Sequence, residues 1–339
     1  MSDLPRIREQ PEDFVVEELP LYAPCGDGDH TYLWIEKRMR TTEEIARELA
    51  RCIGVLPREV GYAGRKDRNA VTRQWFSVPG LAPHRARWLE LPGARVLDAQ
   101  RHRNKLRTGH LKGNRFELRV RGVSEERLAS AKARARELEA RGMPNRFGVQ
   151  RFGRDGDNAE RGRALLAGDS PRGAGDRRAR RFLLSALQSA VFNDVLAERA
   201  DAIGVVELGD VAMLHTSGGM FVVEDLEQEA PRAEAFEISP TGPIFGTRML
   251  AAAGAVLERE RAALERWGLP DVAALVPPRG IRLRGARRSL RVPLVGLSLR
   301  SEGDDRLSIE VTLPAGSYAS VLLEELIGDF DDRSAPAVS

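Results

Sequence analysis

The amino-acid sequence predicts an α+β protein in which a mixed, mainly antiparallel sheet domain is split by an inserted α/β domain. Strand and helix patterns alternate through the first 142 residues without the regular βαβ repeat of a parallel sheet. The composition changes after Gly156, and strand patterns like those of the N-terminal part resume at Ile281. The chain has 339 residues, of which 42% are hydrophobic, so it is long enough to form two cores.

These changes along the chain set the expected domain boundaries. We expect the sheet domain to comprise residues 1–165 and 281–330, with the inserted domain between them at 166–280. Residues 168–181 are rich in glycine and arginine, a composition that is typical of a linker. Residues 331–339 are expected to form a disordered tail.

The N-terminal elements follow from side-chain alternation and from helix capping. Residues 11–20 and 31–37 alternate apolar and polar side chains, as half-buried strands do. Thr41 and Glu44 have the spacing of a capping box and precede an apolar stripe with helical periodicity, and this helix is expected to end before Pro57. The same patterns predict the later elements, which are strands near 74–78, 96–102, 116–120, 209–214, 220–223, 294–299 and 307–313, helices over 124–141, 182–200 and 247–267, and a final helix through Leu326.

Charge is nearly balanced overall but unevenly distributed. The chain carries 53 Lys and Arg against 50 Asp and Glu, a formal net charge of +3. Residues 101–121 contain eight basic side chains and one acidic side chain, and residues 279–291 contain six arginines and no acid. Separated charge of this kind predicts a basic face that binds a polyphosphate such as a nucleic acid. The alternative is a set of solvated charged surfaces without a partner.

A glycine-rich turn followed by a strand, residues 61–78, presents a single carboxylate, Asp67. Three cations flank this carboxylate, namely Arg65, Lys66 and Arg68. An acid among bases, on a loop that a strand anchors, is a candidate reaction centre. The alternative is a solvated turn whose charges only add solubility, and this stretch by itself favours that alternative.

A second dense motif, PNRFGVQRFGRDGDN, occupies residues 144–158. Two Arg-Phe-Gly triplets, at 146–148 and 151–153, surround Gln150. Short runs that combine aromatic, glycine and basic residues suit base stacking beside phosphate contacts. The alternative is a loop whose phenylalanines fill the core.

Several chemistries lack their motifs in this chain. There is no P-loop sequence, no dinucleotide-binding glycine pattern after a strand, no zinc-protease motif and no nucleophile elbow. Cys25 and Cys52 have neither zinc-site nor disulfide-framework spacing. We therefore expect neither a metal nor a cofactor. No apolar run has the length of a leader or a membrane span, so we expect a soluble cytoplasmic protein that does not bind membranes.

Six stretches together resemble the TruD family of tRNA pseudouridine synthases, and they occur in the order of that family. They are PEDFVVEE (11–18), GRKDRNAVTRQW (64–75), RHRNKLRTGHLKGNRF (101–116), PNRFGVQRFGRDGDN (144–158), LSALQSAVFNDVLAERA (184–200) and LPAGSYAS (313–320). The resemblance covers nearly the whole chain. It implies a TRUD domain inserted into a pseudouridine synthase domain. It also implies isomerisation of uridine 13 in a tRNA, with tRNA-Glu as the usual bacterial substrate.

The resemblance also implies which residues take part. The catalytic aspartate of the family falls on Asp67. Substrate-binding positions are implied at Phe14, Asn145, Phe147, Tyr318, Lys66 and Arg8. The sequence departs from the family's pattern at two of these positions. Tyr318 stands where close relatives are expected to have phenylalanine, and Arg8 stands where a lysine is common.

The implied reaction requires the uridine to leave the base stack, because its glycosidic bond is otherwise out of reach. Stacking on one or two of the aromatic residues offsets this cost by about 1–3 kcal/mol per base. An ionised Asp67 carboxylate can then add to C1′ as the uracil departs, or remove the C2′ proton to leave a glycal. The sequence leaves both routes open. Asn145 both donates and accepts hydrogen bonds, so it is the candidate for holding the Watson–Crick edge of the uracil.

Two other functions are compatible with parts of this pattern. A non-catalytic RNA-binding protein would keep the scaffold, but it would not need Asp67 beside a lysine together with an intact Asn145 and Phe147 pair. An RNA methyltransferase would need a binding motif for S-adenosylmethionine, which no stretch of the sequence supplies. We expect a monomer that binds tRNA and uses no small-molecule cofactor.

Overall fold

The structure is a computed structural model, and it describes residues 4–303 and 305–334. In this part of the chain the strands are β1 (Arg6–Ile7), β2 (Phe14–Pro20), β3 (His30–Arg38), β4 (Gly61–Tyr62), β5 (Val71–Pro79), β6 (Ala94–His102), β7 (Leu111–Arg121), β8 (Met143–Pro144), β9 (Val211–Leu214), β10 (Met220–Val222), β11 (Ile238–Ile244), β12 (Ala286–Ser289), β13 (Arg291–Val292), β14 (Val295–Ser301), β15 (Arg306–Pro314) and β16 (Asp331–Asp332). The α-helices are α1 (Thr42–Ile53), α2 (Glu125–Arg141), α3 (Asn158–Leu166), α4 (Arg177–Ala197), α5 (Leu226–Glu234), α6 (Gly254–Arg266) and α7 (Ala319–Ile327). Every helix among the described residues is too short or too polar to span a bilayer.

The expected fold class, α+β with mixed and mainly antiparallel sheets, is confirmed. The chain divides into two compact units. The first unit comprises the residues up to Arg136, residues 294–319 and the residues from 323 onward, and the second comprises residues 137–293 and 320–322. The boundaries expected after residues 165 and 280 both lie inside the second unit, so the limits of an inserted domain stay a prediction.

The described strands of the first unit form one ten-stranded sheet, in the order β14-β15-β7-β2-β5-β3-β6, with β1, β4 and β16 paired beside this path. β2 runs parallel to β5 and β1 runs parallel to β16, whereas the other pairs are antiparallel. Val15 of β2 is paired with Val71 of β5. Because these strands are parallel, the turn that precedes β5 lies at the same end of the sheet as Phe14.

Helix α1 begins as the sequence predicts. Thr41 Oγ1 accepts a hydrogen bond from Glu44 N (3.1 Å), and Glu44 Oε2 accepts one from Thr41 N (2.7 Å), which confirms the capping box. The helix ends at Gly54, whose φ of 77° lies in the left-handed region that glycine adopts without strain. Ile45 and Leu49 are fully buried, so α1 contributes its apolar stripe to the core.

The second unit contains a four-stranded sheet, in the order β10-β9-β11-β12, and a two-stranded sheet of β8 and β13. Helix α4 packs against this unit's core, where Leu187 and Val191 are buried together with Phe245 and Leu264. The later turns of α4 are therefore apolar, as the sequence predicts.

The start of α4 differs from the prediction. Residues 168–181 were expected to be a linker, but α4 begins at Arg177, where the Asp176 side chain accepts a hydrogen bond from Ala179 N (2.7 Å). The linker prediction is wrong for residues 177–181, because the basic residues there form the first turns of a helix whose apolar side becomes visible only further along the chain.

The C-terminal tail also differs from the expectation of disorder. Asp331 and Asp332 form β16 and pair with Arg6 and Ile7 of β1. Asp331 N donates a hydrogen bond to Pro5 O (2.8 Å), so backbone pairing orders a segment that has few apolar side chains. The same prediction also covers residues 335–339, which lie outside the described residues.

Candidate active site

Buried polar groups hold the backbone around Asp67 from its inner side. Lys66 N donates a hydrogen bond to Thr42 Oγ1 (2.9 Å), and Thr42 Oγ1 donates one to Gln74 Oε1 (2.8 Å). Gln74 Nε2 in turn donates to Gly64 O (3.0 Å). Thr42 and Gln74 are fully buried, so the turn is tied to both α1 and β5. The backbone is thus fixed, while the Asp67 side chain keeps 48% of its surface exposed.

Lys37, which was not among the residues predicted from the sequence, supports the same turn from the interior. Its Nζ donates hydrogen bonds to Asp67 O (2.8 Å) and to Arg40 O (2.6 Å), and the residue is 1% exposed. Burial lowers the pKa of Lys37 to about 8, although the negative charge of Asp67 acts to raise it. The alternation of β3 contains a signal for this residue, because Lys37 falls on the same face as the buried Leu33 and Ile35.

Arg8 is the charge partner of Asp67. Its Nη2 donates a hydrogen bond to Asp67 Oδ2 (3.1 Å), and its Nη1 donates one to Asp332 Oδ2 (2.6 Å). The guanidinium carbon lies 3.9 Å from the centroid of the Phe14 ring. Three contacts therefore orient a side chain that is 6% exposed, and the carboxylate beside it keeps an accessible side.

The three cations that flank Asp67 in the sequence do not pair with it. Arg65 forms an ion pair with Glu43, and Lys66 forms one with Glu18. Arg68 is exposed and makes no ion pair with any described residue. The interpretation of a carboxylate held by its neighbouring bases is therefore wrong, because consecutive side chains of this turn point in different directions.

The ion pair between Lys66 and Glu18 is buried. Lys66 Nζ lies 2.7 Å from Glu18 Oε2, and the two side chains are 5% and 1% exposed. Burial raises the pKa of Glu18, while the charge of Lys66 and a hydrogen bond from it act to lower it. A structural role for Lys66 fits this burial better than the predicted contact with a substrate.

The two aromatic residues predicted in the first unit are not equally accessible. Phe14 is 2% exposed, with Arg8 over its ring and the Phe116 ring at 6.2 Å in an edge-to-face arrangement. Tyr318 precedes α7 as its N-cap residue and is half-buried. A base can therefore stack on Phe14 only if Arg8 moves, whereas Tyr318 keeps part of its surface accessible.

The second unit holds Asn145 and Phe147 in a cluster that Arg288 organises. Asn145 is 6% exposed; its Nδ2 donates to Ser289 O (2.9 Å), and its Oδ1 accepts from Arg288 Nη2 (2.5 Å). The Arg288 guanidinium carbon lies 4.2 Å from the centroid of the Phe147 ring, and Phe147 N donates to Asn193 Oδ1 (2.8 Å). Both the nitrogen and the oxygen of the Asn145 amide already form hydrogen bonds within the protein, so Asn145 can contact uracil only if these bonds break.

Distant acids neutralise half of the first basic run, residues 101–121. The pairs are Arg103 with Asp27 (3.0 Å), Arg115 with Glu310 (3.4 Å), Arg119 with Glu302 (2.9 Å) and Arg121 with Asp13 (2.7 Å). The count of eight bases to one acid therefore overstates the positive charge of this surface.

Half of the second basic run, residues 279–291, supports the fold. Arg287 forms a buried ion pair with Glu260 (2.6 Å). Arg291 is 3% exposed, donates a hydrogen bond to Ser239 Oγ (3.0 Å), and has its pKa lowered to about 10 by burial. Arg288 contacts Asn145 and Phe147. In the sequence it was noted only as a member of this basic run. The exposed members of the run are Arg279, Arg282 and Arg284.

The chain is similar to several known proteins over most of its length. A family model described as tRNA pseudouridine synthase D (TruD) matches residues 5–176 and 173–326. The tRNA pseudouridine synthase D of Anaeromyxobacter dehalogenans (strain 2CP-C) is 47% identical, over 96% of this chain and 94% of its own length. That of Geobacter metallireducens is 43% identical, over 95% of this chain and 94% of its own length. That of Thermus thermophilus is 44% identical, over 96% of this chain and 90% of its own length.

A solved structure shows the same fold. It is described as the crystal structure of the putative tRNA pseudouridine synthase D from Methanosarcina mazei, and it matches with a TM-score of 0.75 over 97% of this chain and 95% of that chain. The sequence identity is 21%, so this likeness concerns the fold.

Proposed function

The chain belongs to the tRNA pseudouridine synthase D family, and on that premise we propose that it isomerises uridine 13 of tRNA, with tRNA-Glu as the expected substrate, through the carboxylate of Asp67. The observation that carries the role of Asp67 is its geometry. The carboxylate is 48% exposed, Arg8 orients one of its oxygens, and the backbone beneath it is fixed by buried hydrogen bonds. A charged group that is both fixed and accessible suits attack on a bound sugar.

The isomerisation moves C1′ of the ribose from N1 to C5 of the uracil. In the covalent route, Asp67 forms a bond to C1′ while the C1′–N1 bond breaks and its electron pair leaves with N1. The uracil then turns, C5 attacks C1′, the carboxylate leaves, the proton on C5 is lost to solvent, and N1 takes up a proton. In the glycal route, Asp67 instead begins by removing the C2′ proton. Both routes use an ionised carboxylate with an open side.

The remaining site residues divide into two groups. Arg8 positions Asp67, and Phe14 supports Arg8 by stacking under its guanidinium. Contacts of the uracil with Asn145, Phe147 and Tyr318 stay predictions from the family resemblance. Each is tested by an alanine variant, which is expected to raise KM for tRNA more than it lowers kcat if the residue holds the uracil in the ground state and the transition state alike.

Site mapping tests the proposed reaction. The protein is incubated with a tRNA-Glu transcript, and pseudouridine is located by carbodiimide modification and primer extension. We expect one new pseudouridine at position 13 and none in a transcript with cytidine at that position. Release of tritium from uracil labelled at C5 reports bond formation at that carbon. A protein that binds the transcript without releasing tritium would be an RNA-binding protein and not an enzyme.

An isotope effect separates the two chemical routes. Deuterium at C2′ of uridine 13 slows a reaction that begins by removing that proton, whereas it leaves covalent addition at C1′ almost unaffected. Wild-type protein is compared on deuterated and ordinary transcripts under single-turnover conditions.

A further inference from the structure

A strongly basic groove lies in the second unit, between the first turns of α4 and the extended segment 281–284. It encloses about 830 Å³, and its lining includes Arg177, Arg178, Arg181, Phe182, Arg282 and Arg284. All six of these side chains are exposed, and the lining contains no acidic residue. Guanidinium groups gathered in this way repel one another, so a groove of this kind is complementary to an anion with several charges.

The five arginines of the groove differ from those of the first basic run. None of them forms an ion pair with any residue that the structure describes, whereas four arginines in residues 101–121 do so. Their charge is therefore available to a ligand. Asp176, the acid that directly precedes Arg177, does not neutralise these arginines. Its carboxylate caps α4 by accepting a hydrogen bond from Ala179 N, and it forms no ion pair with any described residue.

Packing holds the walls of the groove in place. Ile281 and Leu283 are buried in the core of the second unit, so the alternation of this segment points Arg282 and Arg284 outward. Gln188 Nε2 of α4 donates hydrogen bonds to Phe245 O (2.6 Å) and to Arg284 O (3.1 Å). The buried amide thus links the segment to α4, and the cations are presented from fixed backbones.

An exposed aromatic ring lies among these cations. Phe182 keeps 44% of its surface exposed, and the guanidinium carbon of Arg151 lies 5.6 Å from its ring centroid. Arg151 is itself held on α4, since its Nε donates to Ser189 Oγ (3.2 Å). An aromatic face beside several unpaired arginines matches single-stranded nucleic acid, which offers both phosphates and unstacked bases, better than it matches an acidic polypeptide.

We infer that this groove is an RNA subsite, in which the arginines bind the phosphate backbone of the tRNA and Phe182 stacks on an unpaired base. The inference rests on the proposed function for the identity of the RNA. It assigns the second unit a share of substrate affinity that is separate from the chemistry at Asp67.

Two triple variants with the same change in charge test the inference. One is Arg178→Gln/Arg181→Gln/Arg284→Gln in the groove, and the control is Arg103→Gln/Arg115→Gln/Arg119→Gln, whose arginines are already paired with acids. Affinity for tRNA-Glu is measured against salt concentration. The affinity of the groove variant is expected to depend less steeply on salt. The magnitude of its negative slope of log K against log salt should fall by about 2 to 3, since each phosphate contact contributes about 0.7 to 0.9. The control is expected to lower it by less than about 1.

Kinetics and a stacking variant complete the test. The groove variant is expected to raise KM by at least about tenfold and to change kcat by less than about twofold, because it removes phosphate contacts that the ground state and the transition state share. Phe182→Ala is expected to weaken tRNA binding by about 5- to 150-fold at every salt concentration and to leave the slope unchanged. Should the triple variant unfold, each single variant is expected to lower the slope by about 0.7 to 0.9.

The outcomes that overturn the inference are distinct from those that overturn the proposed function. If wild-type protein makes no pseudouridine, the proposed reaction is wrong, whatever the groove binds. If wild-type protein is active and the groove variant keeps the wild-type affinity and salt slope, the groove is not an RNA subsite. If the groove variant keeps tRNA affinity but loses binding to polyglutamate, the groove takes an acidic polypeptide, and the inference is also wrong.

Discussion

Two adjacent residues of one turn, Lys66 and Asp67, form ion pairs with opposite properties. Lys66 pairs with Glu18 inside the first unit, where the two side chains are 5% and 1% exposed. Asp67 pairs with Arg8, whose side chain is 6% exposed, but the Asp67 side chain itself stays 48% exposed. Removing one partner of a buried pair costs about 3–5 kcal/mol, whereas an exposed pair contributes about 0–1 kcal/mol. The pair with two buried side chains therefore serves stability, and the pair with an accessible carboxylate is free to serve chemistry.

The largest effect is expected at the exposed carboxylate. Asp67→Asn should reduce pseudouridine formation by at least about a thousandfold, because the amide can neither add to C1′ nor remove the C2′ proton. The melting temperature should change by less than about 4 °C, since the Asp67 side chain is half-exposed and Arg8 keeps its ion pair with Asp332. Single-turnover assays and thermal melts measure the two quantities.

A matched control uses another exposed acid of the first unit. Asp98→Asn makes the same change in charge on β6, away from Arg8, and should keep the wild-type rate. Near-normal activity of Asp67→Asn would show that Asp67 is not the catalytic carboxylate. Unfolding of that variant would show that the pair of Asp67 with Arg8 is needed for stability.

The next effect is expected at the buried pair, and it concerns stability. Glu18→Gln leaves the Lys66 ammonium buried without a counter-charge, so the free energy of unfolding should fall by about 3–5 kcal/mol. Replacing both partners, as in Glu18→Leu/Lys66→Met, should restore most of this loss. Glu17→Gln, which breaks a half-exposed pair with Arg73, is the control and should cost less than about 1 kcal/mol. Urea titrations measure the free energy of unfolding of the three variants. Equal losses for Glu18→Gln and Glu17→Gln would show that burial does not make the Glu18 pair more important for stability.

A pH dependence of stability is expected from Lys37, whose Nζ donates hydrogen bonds to the backbone oxygens of Arg40 and Asp67. Its pKa is lowered to about 8 from the usual 10.5, so the folded protein releases this proton at a lower pH than the unfolded chain does. The unfolded state therefore binds more protons between these values, and stability should rise with pH across that window by up to about 3 kcal/mol. Lys37→Met should remove this rise. Parallel curves of unfolding free energy against pH for the two proteins would show that Lys37 is not the cause.

The smallest effect is expected at Asp332, which orients Arg8 from the far side. Asp332→Asn removes one of the three contacts of Arg8, and kcat should fall by about 3- to 10-fold with KM unchanged, because Asp67 is held less firmly. Asp331→Asn is the control, since Asp331 pairs with Arg333 and leaves Arg8 untouched. A change in KM alone would place Asp332 in substrate binding instead of positioning.

Local patterns in the sequence determined much of the fold. The capping box of Thr41 and Glu44 and the alternation of β15 were predicted correctly, because each depends on groups a few residues apart. The start of α4 was missed, since its first turns are basic and its apolar side is visible only later in the chain.

The sequence by itself also determined the family and pointed to Asp67, because both depend on the order of residues along the chain. The partners of the charges were decided by the tertiary structure alone. Arg8 reaches Asp67 across 59 positions, and Arg119 reaches Glu302 across 183. Coulomb attraction depends on distance in space and on burial, so a charge count along the sequence cannot tell a paired arginine from a free one. Folding therefore neutralised half of the basic run at residues 101–121, and it left unpaired arginines on a segment expected to be a linker and on part of the second run.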